Sequence, residues 1–268
     1  MNGLTMAGIT DPGMVRDHNE DCFLTLPQKG LAILADGMGG HLAGEVASSL
    51  AVNVISRYLT DNLSRARKVR KAVGGLSAEA KMVLKAVELA NSTIYETSRT
   101  RPEFSGMGTT VVVAVFRANK LHVAHVGDSR LYRLRHGALT RLTEDHSMVQ
   151  ELLRQGLISS EEARTSNARN LVTRALGVEV TVQPDIQEYT VQAGDNYLLC
   201  SDGLNDVLTD DDIQHMLSQY GADLEDTIHK MVMVVNAKGG PDNVSVVLVH
   251  ADNSPARRTK KTRRKSRT

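Results

Sequence analysis

Short runs of aliphatic residues recur along the chain, each of about strand length and bounded by polar residues or glycine. Runs of this kind, rich in Val, Ile, Leu and Ala, are typical of buried β-strands. They predict strands at Leu31–Ala35, Thr110–Phe116, Leu121–Val126, Asn196–Cys200 and Val244–His250. The short polar gap between the second and third runs predicts a hairpin, and a second hairpin is predicted to pair Ser129–Arg135 with Leu139–Leu142.

Apolar residues recur every three or four positions in two longer stretches, which predicts amphipathic helices over Gly44–Leu63 and Ala78–Thr97. Shorter helices are predicted at Ser147–Gln155, Asp210–Gln219 and Leu224–Asn236. The helices interrupt a series of hairpin-linked strands rather than alternating with single strands. The order of elements therefore predicts an α+β fold in which helices cover antiparallel sheets.

The composition adds a charge asymmetry to this picture. The 268 residues carry a formal net charge of +1, but the segment after Asp252 contains eight basic residues and no acidic one. Without those eight, 24 of the 32 basic residues remain against 31 acidic ones. We therefore expect a folded, acidic domain at residues 1–252 and a basic, disordered tail at residues 253–268. An acidic domain is a poor match for nucleic acid and suits a carboxylate cluster that needs a cation.

The cysteines and the hydropathy pattern bear on location. Cys22 and Cys200 are far apart and form no Cys-x-x-Cys unit, so a cysteine zinc site is not expected. Two reduced thiols are typical of a cytoplasmic protein. No apolar run approaches the roughly 18 residues that suggest a membrane span, and residues 1–10 lack the pattern of a signal peptide. We expect a cytoplasmic chain without a membrane span.

Four acidic residues adjoin predicted strands, in the pairs Asp36-Gly37, Asp128-Ser129, Asp202-Gly203 and Asp242-Asn243. A single Asp-Gly pair is a common turn signal and has that simpler explanation. Four together favour a metal site, because clustered carboxylates repel one another unless a cation neutralises them. Oxygen ligands favour magnesium or manganese over zinc. Two such ions a few ångströms apart can activate a water for in-line attack on phosphorus.

The N-terminal segment Val15–Asp21 offers a grip on phosphate. Arg16 can bind two phosphate oxygens through its planar guanidinium, although a charged loop can also be merely solvated. Glu20 and Asp21 lie close enough in sequence to reach the metals or their waters. The glycine-rich run that follows Asp36 lacks the spacing of a nucleotide-binding loop. We interpret Gly37 instead as a position where the backbone carbonyl can approach a metal closely.

Eight motifs resemble, in their order and spacing, those of the bacterial branch of the metal-dependent type 2C (PPM) Ser/Thr protein phosphatases. They are VRDHNED (15–21), LADGMGG (34–40), GMGTT (106–110), VGDSR (126–130), LTEDHS (142–147), RNLVTRALG (169–177), SDGL (201–204) and GPDNVSV (240–246). The resemblance runs from about Ala7 to Val249. It implies an αββα sandwich of two antiparallel β-sheets flanked by helices, with the active site in a cleft at one edge.

The same resemblance implies roles for the acidic residues. Asp36 would bridge two manganese or magnesium ions, and the carbonyl oxygen of Gly37 would bind one of them. Asp202 and Asp242 would complete the other metal position. Asp128, together with Asp202, would hold a third ion.

It also implies supporting roles around these ions. Glu20 would hold the second ion directly or through water, and Asp21 would support it from behind. Arg16 would bind the phosphate of the substrate. Asn243 and Thr110 would lie near the site without a defined chemical task.

Two features of the resemblance leave alternatives open. Met38 stands where many eukaryotic members have a histidine proposed to protonate the leaving alkoxide, and bacterial members often share the methionine. A metal-bound water could supply that proton, or His41 could, although His41 is better explained by packing near the following helix. Residues 143–177 resemble the family's flap, which either selects substrates or forms a surface subdomain without a chemical role.

These features together predict hydrolysis of phosphoserine and phosphothreonine in proteins, opposing a bacterial Ser/Thr kinase, by a monomeric enzyme. Its partners would be phosphoproteins, including that kinase or its targets. Two alternatives are a catalytically silent relative that binds phosphopeptides and a two-metal hydrolase of small phosphate esters or nucleic acid. A lost ligand position would favour the first, and none is lost. The acidic domain and the 3% aromatic content count against nucleic acid.

Overall fold

The structure is a computed structural model, and it describes residues 3–40, 42–66, 75–159, 162–163, 166, 168, 171–221 and 223–252. The side chains of residues 64–66 are not included in that description. His41 and the predicted tail at residues 253–268 lie outside the described residues. So do residues 160–161, 164–165, 167 and 169–170 of the predicted flap.

Strands and helices follow one another in the order that the apolar pattern predicts. The strands are β1 (Leu4–Asp11), β2 (Asp21–Leu26), β3 (Leu31–Met38), β4 (Gly108–Thr109), β5 (Val111–Arg117), β6 (Lys120–Val126), β7 (Arg130–Arg135), β8 (Ala138–Arg141), β9 (Asp185–Thr190), β10 (Asn196–Cys200) and β11 (Val244–Ala251). The helices are α1 (Ala43–Ala66), α2 (Ala78–Thr100), α3 (Met148–Arg154), α4 (Asp202–Asn205), α5 (Asp210–Tyr220) and α6 (Leu224–Ala237).

The strands form two antiparallel sheets that pack face to face. One sheet has the order β1-β11-β10-β7-β8, and the other has the order β2-β3-β5-β6-β9, with β4 paired to β3. Helices α1 and α2 cover the outer face of the second sheet, and α5 and α6 cover the outer face of the first. This arrangement is the predicted αββα sandwich of an α+β protein.

Central strands are buried on both faces, which explains why they appear in the sequence as uninterrupted apolar runs. In β3, Leu31 and Ile33 pack against the helices, whereas Ala32 and Leu34 face the other sheet. Between the sheets, the ring of Phe116 meets Tyr197 edge-on, with centroids 5.2 Å apart. Aliphatic residues fill most of the remaining core, as the low aromatic content predicts.

Every predicted strand and helix is present, with ends shifted by three residues or fewer. Strands β1, β2, β4 and β9 were not predicted. One prediction needs correction: Asp36 does not end its strand, because Gly37 and Met38 continue β3 by pairing with Thr109 and Gly108 of β4. Among the described residues, the helices are too short or too polar to cross a membrane.

Candidate active site

Side chains from several separate segments meet in one cleft of about 620 Å³ at one end of the sandwich. The predicted site residues that line it are Arg16, Glu20, Asp36, Gly37, Thr110, Asp128, Asp202, Asp242 and Asn243. Asp21 is buried next to the cleft, where β2 places it opposite Asp36 of β3. The structure thus brings these predicted site residues together at one place.

Asp36 is held by its own backbone. Its N–H donates to the hydroxyl of Thr110 at 3.2 Å, and its carbonyl accepts from the N–H of Thr110 at 2.8 Å. The hydroxyl of Thr109 donates to the same carbonyl at 2.8 Å. Thr110 also exchanges a hydrogen bond of 2.7 Å with Ser129, which follows Asp128. Thr110 therefore ties two of the acidic segments together without contributing a charge.

The start of helix α1 packs tightly against the cleft. A Cβ added to Gly37 would lie 2.1 Å from the carbonyl oxygen of Gly44 and 2.6 Å from that of Glu20. A Cβ added to Gly44 would lie 2.6 Å from the carboxyl carbon of Glu20. Position 37 therefore requires glycine, because the clash is with backbone, whereas a side chain at position 44 would displace the carboxylate of Glu20. The close packing sets the Gly37 backbone and the Glu20 carboxylate side by side at the cleft.

Asn243 organises the N-terminal loop. Its amide oxygen accepts from the N–H of Glu20 at 2.8 Å, and its amide nitrogen donates to the carbonyls of Pro12 at 3.0 Å and His18 at 2.8 Å. These bonds hold the loop that presents Arg16 to the cleft. Arg16 donates to a carboxylate oxygen of Asp242 at 2.7 Å.

Burial dominates the electrostatics of the cluster. It raises the pKa of Asp36 and of Asp202 well above the usual range, and the neighbouring carboxylates raise both further. Burial likewise raises the pKa of Asp21 and of Asp128 to about 6. The pKa of Glu20 is also raised, again mainly by burial. These carboxylates cannot all be charged at neutral pH without a compensating positive charge.

Two buried carboxylate oxygens point to a cation. Oε1 of Glu20 and Oδ1 of Asp21 are buried and have no hydrogen-bond partner among the described residues. The other oxygen of Asp21 accepts from the hydroxyl of Ser201 at 2.8 Å. An unpaired carboxylate oxygen in a buried acidic cluster is costly unless an ion binds it. The carboxylate oxygens of the cleft are the kind of ligand that manganese and magnesium prefer.

The sequence profile of the family described as "Protein phosphatase 2C" matches residues 15–243, which include every segment of the cleft. The chain belongs to the protein phosphatase 2C family. It is accordingly a metal-dependent Ser/Thr protein phosphatase. The matched residues of this phosphatase include most of the αββα sandwich and all the segments that line the carboxylate cleft.

Relatives of this phosphatase come from several bacteria. The Ser/Thr phosphatase stp of Listeria monocytogenes is 38% identical over 91% of this chain and 94% of its own length. The Ser/Thr protein phosphatase PstP of Mycobacterium tuberculosis is 40% identical over 91% of this chain and 44% of its own. A crystal structure of the catalytic domain of PstP in complex with two manganese ions is 37% identical, with a TM-score of 0.80, covering 94% of this chain and 99% of that one.

The cleft also contains residues to which the sequence analysis gave no role. Leu171 and Val172 line it from the flap side, and His18 lines it from the N-terminal loop. Met38 lies in the cleft as well, and its thioether cannot donate a proton. Position 18 could have been noticed inside the VRDHNED motif. Leu171 and Val172 lie inside the RNLVTRALG motif, but their place in the cleft was not predictable, because aliphatic residues without a periodic pattern do not indicate where a loop folds back.

Proposed function

We propose that this phosphatase binds two divalent cations through Asp36, Asp202, Asp242 and the carbonyl oxygen of Gly37. In this assignment Asp36 would serve as a ligand of both ions, and Glu20 would hold the second one directly or through water. The observation that carries it is the meeting, in one cleft, of carboxylates from separate segments of the chain, with the pKa values of Asp36 and Asp202 raised mainly by burial. Bound ions of this kind supply an activated water and neutralise charge on a phosphoryl group.

Arg16 is assigned to the phosphate of the substrate. Its side chain is 56% exposed and is anchored at one end by Asp242, so the guanidinium can turn a face toward a ligand in the cleft. A planar guanidinium binds two phosphate oxygens at once. Asn243 and Thr110 then act on position alone, the first by fixing the N-terminal loop and the second by fixing Asp36.

Asp128 is assigned, with Asp202, to a third ion. Asp128 is 7% exposed, and its pKa is raised by burial and then by Asp145. Asp128 and Asp202 line the same cleft, and the charge of Asp128 helps to raise the pKa of Asp202. Mn²⁺ or Mg²⁺ suits this oxygen-only position.

The remaining assignments concern the whole chain. We assign residues 1–252 to the catalytic domain, residues 143–177 to its flap and residues 253–268 to a basic tail. The substrates are phosphoproteins, including a Ser/Thr kinase or its targets, and the enzyme acts as a monomer. Cys22 and Cys200 are both unpaired thiols, which favours a reducing compartment such as the cytoplasm.

The test is hydrolysis of a phosphothreonine peptide with manganese, with magnesium and with a chelator, by the wild type and by Asp202→Asn. Release of phosphate should require metal and should be lost in Asp202→Asn. An Asp61→Asn variant, altered at an exposed position of helix α1, should match the wild type. A folded Asp202→Asn enzyme with near-normal turnover would overturn the ligand assignment. A wild type that binds the peptide and releases no phosphate would indicate a silent phosphopeptide-binding protein.

A further inference from the structure

His146 lies outside the cleft and holds both polar groups of one glycine next to Asp128. Its backbone N–H donates to the carbonyl oxygen of Gly127 at 2.9 Å. Its side-chain Nδ1 accepts from the N–H of the same Gly127 at 3.1 Å. The side chain is 3% exposed, so water cannot easily replace these bonds. One residue therefore fixes the peptide groups on either side of Gly127.

Gly127 passes this constraint on to the active site. Its φ angle is +102°, a backbone conformation that favours glycine. A Cβ added there would lie 2.6 Å from Cβ and Cγ2 of Thr110, the residue whose N–H and hydroxyl hold Asp36. The turn is thus clamped between His146 and Thr110, and Asp128 is the next residue along the chain.

His146 also joins this turn to the far end of the flap. Its carbonyl accepts from the N–H of Thr173 at 2.8 Å, and the adjacent Ser147 pairs with Val172 in an isolated β-bridge. Val172 and Leu171 line the cleft. The residue therefore lies at the point where two parts of the flap meet the strand ends that carry the acidic cluster.

His125, His146 and Asp185 form a group that could instead bind a metal ion, because their potential ligand atoms lie within 4.8 Å of one another. The hydrogen bonds argue against a metal there. Nδ1 of His146 accepts a hydrogen bond, so its lone pair is used and the proton of the neutral ring is on Nε2. A metal on Nε2 would force a proton onto Nδ1, facing the N–H of Gly127.

Burial, rather than the nearest charged group, keeps the ring of His146 neutral. Nε2 lies 3.5 Å from a carboxylate oxygen of Asp185 and makes no hydrogen bond among the described residues, and the charge of Asp185 acts to raise the pKa of the ring. The ring of His125 stacks on that of His146 with centroids 4.7 Å apart, and Nε2 of His125 donates to the carbonyl of Glu144 at 2.8 Å. Burial lowers the pKa of His146 to about 4, so the ring is neutral at physiological pH.

We propose that His146, as a neutral ring with its proton on Nε2, is a positioning residue that holds the turn at Gly127 and thereby aims Asp128 into the cleft. It acts through Gly127 and touches no reacting group. The proposal rests on the proposed function, since it gives Asp128 a task in the reaction. In this role, Nδ1 of His146 must accept a hydrogen bond, and the ring binds no metal.

Two substitutions separate the acceptor from the bulk of the ring. His146→Asn keeps an oxygen close to the position of Nδ1, and His146→Leu fills similar space without an acceptor. We expect kcat to fall about tenfold or more in His146→Leu, with KM little changed, since residues that orient a metal ligand typically contribute about 10–100-fold. His146→Asn should retain most of the activity. His215→Leu, altered at an exposed histidine of helix α5, is the matched control.

Readouts other than turnover test the contact itself. In the metal-free full chain, long-range ¹⁵N–¹H correlation should place the His146 proton on Nε2. The amide of Gly127 should exchange with solvent faster in His146→Leu than in the wild type or His146→Asn. In a double-mutant cycle, His146→Leu should add little to the loss of kcat caused by Asp128→Ala, because both changes remove the same arrangement.

Three outcomes would overturn the proposal. The first is an unchanged kcat and an unchanged Gly127 exchange rate in His146→Leu. The second is a double mutant in which the losses of kcat from His146→Leu and Asp128→Ala multiply. The third is the binding of one zinc ion by the wild type, with that binding abolished by Asp185→Asn. An inactive wild type with a protected Gly127 amide and an Nε2 proton would contradict the proposed function alone. The two failures are therefore distinguishable.

Discussion

At the scale of single residues, Arg16 is held in position by one contact and still has an exposed guanidinium that can bind a ligand. It is more than half exposed, yet Asp242 holds one end of its guanidinium. The bond to Asp242 also raises the pKa of Arg16, so its positive charge is secure at any working pH. A fixed positive charge at the edge of an acidic cleft is suited to attracting a phosphate.

Replacement of Arg16 tests that role. Arg16→Ala should raise KM for a phosphothreonine peptide by about 10–100-fold, the effect of losing charged hydrogen bonds of about 1.5–3 kcal/mol. The turnover number should change less, because the carboxylate cluster is left intact. Michaelis–Menten measurements under saturating metal would show the split.

Arg16→Lys should have an intermediate effect, since an ammonium group cannot bind two phosphate oxygens in one plane. Arg99→Ala removes an exposed arginine from the end of helix α2 and should leave both constants unchanged. A wild-type KM in Arg16→Ala would remove Arg16 from phosphate binding.

The residues of the candidate site were predictable where the neighbouring residues in the sequence indicate their position. Asp36, Asp128, Asp202 and Asp242 each follow or precede an apolar strand, so the sequence alone indicated their rigidity and clustering. The part of His146 was not predictable, because it depends on a contact with Gly127, 19 residues away, that exists only after the flap folds back.

At the scale of elements, the apolar pattern predicted the amphipathic helices and the strands that are buried on both faces, but it missed several strands that are partly exposed. Strands β3, β5 and β11 are continuous apolar runs because both of their faces are covered. Strands β1 and β9 lie at sheet edges, and their half-exposed sequences include polar residues and, in β1, a glycine. Their pairing is set by the neighbouring strand, which no local pattern encodes.

One helix contact is predicted to set the position of the flap's end. Asn91 of helix α2 is 1% exposed and accepts from the N–H of Gly177 at 2.8 Å. Its amide nitrogen donates to the carbonyls of Glu179 at 3.1 Å and Val180 at 3.2 Å. A single buried amide therefore satisfies three backbone groups where the chain leaves the flap.

Asn91→Ala should lower the free energy of unfolding by about 2–3 kcal/mol, because buried backbone groups lose their partners. Chemical denaturation monitored by circular dichroism would measure this, and the amide of Gly177 should exchange faster with solvent. Ser92→Ala, which alters the exposed neighbour, should stay within about 0.5 kcal/mol of the wild type. Equal stability of the two variants would show that Asn91 is not an anchor.

At the scale of the whole molecule, the buried carboxylates of the active site lower the stability of the metal-free fold. The sandwich buries Asp21, Asp36, Asp128 and Asp202 at one end, and burial raises the pKa of each of them. A carboxyl whose pKa is raised by folding stabilises the protein when protonated, and this contribution is lost as the pH rises through the folded-state pKa. Without a cation, the folded protein should therefore weaken from about pH 4 upward, through about pH 6 and beyond.

His146 has the opposite effect on the pH dependence of stability, and its contribution can be separated from that of the carboxylates. Burial lowers the pKa of His146 from its ordinary value of about 6.5 to about 4, so its contribution to stability is complete above pH 6.5 and is lost as the pH falls toward 4. That contribution is present with and without metal. The difference in melting temperature between metal-loaded and metal-free protein therefore cancels it and isolates the carboxylate cluster.

We expect the increase in Tm caused by saturating Mn²⁺, relative to chelator, to be small at pH 5 and to grow through pH 6.5 to pH 8. Raising the pKa of a carboxyl from its ordinary value to about 6, as at Asp21 and Asp128, corresponds to about 3 kcal/mol, so two such groups suffice to raise Tm by many degrees. Thermal melts followed by circular dichroism at the three pH values would measure it, with Mg²⁺ as a second ion. Asp202→Asn should reduce the increase, because one carboxylate no longer needs neutralising. An increase that is the same at all three pH values would mean that the ions bind somewhere other than the buried carboxylates.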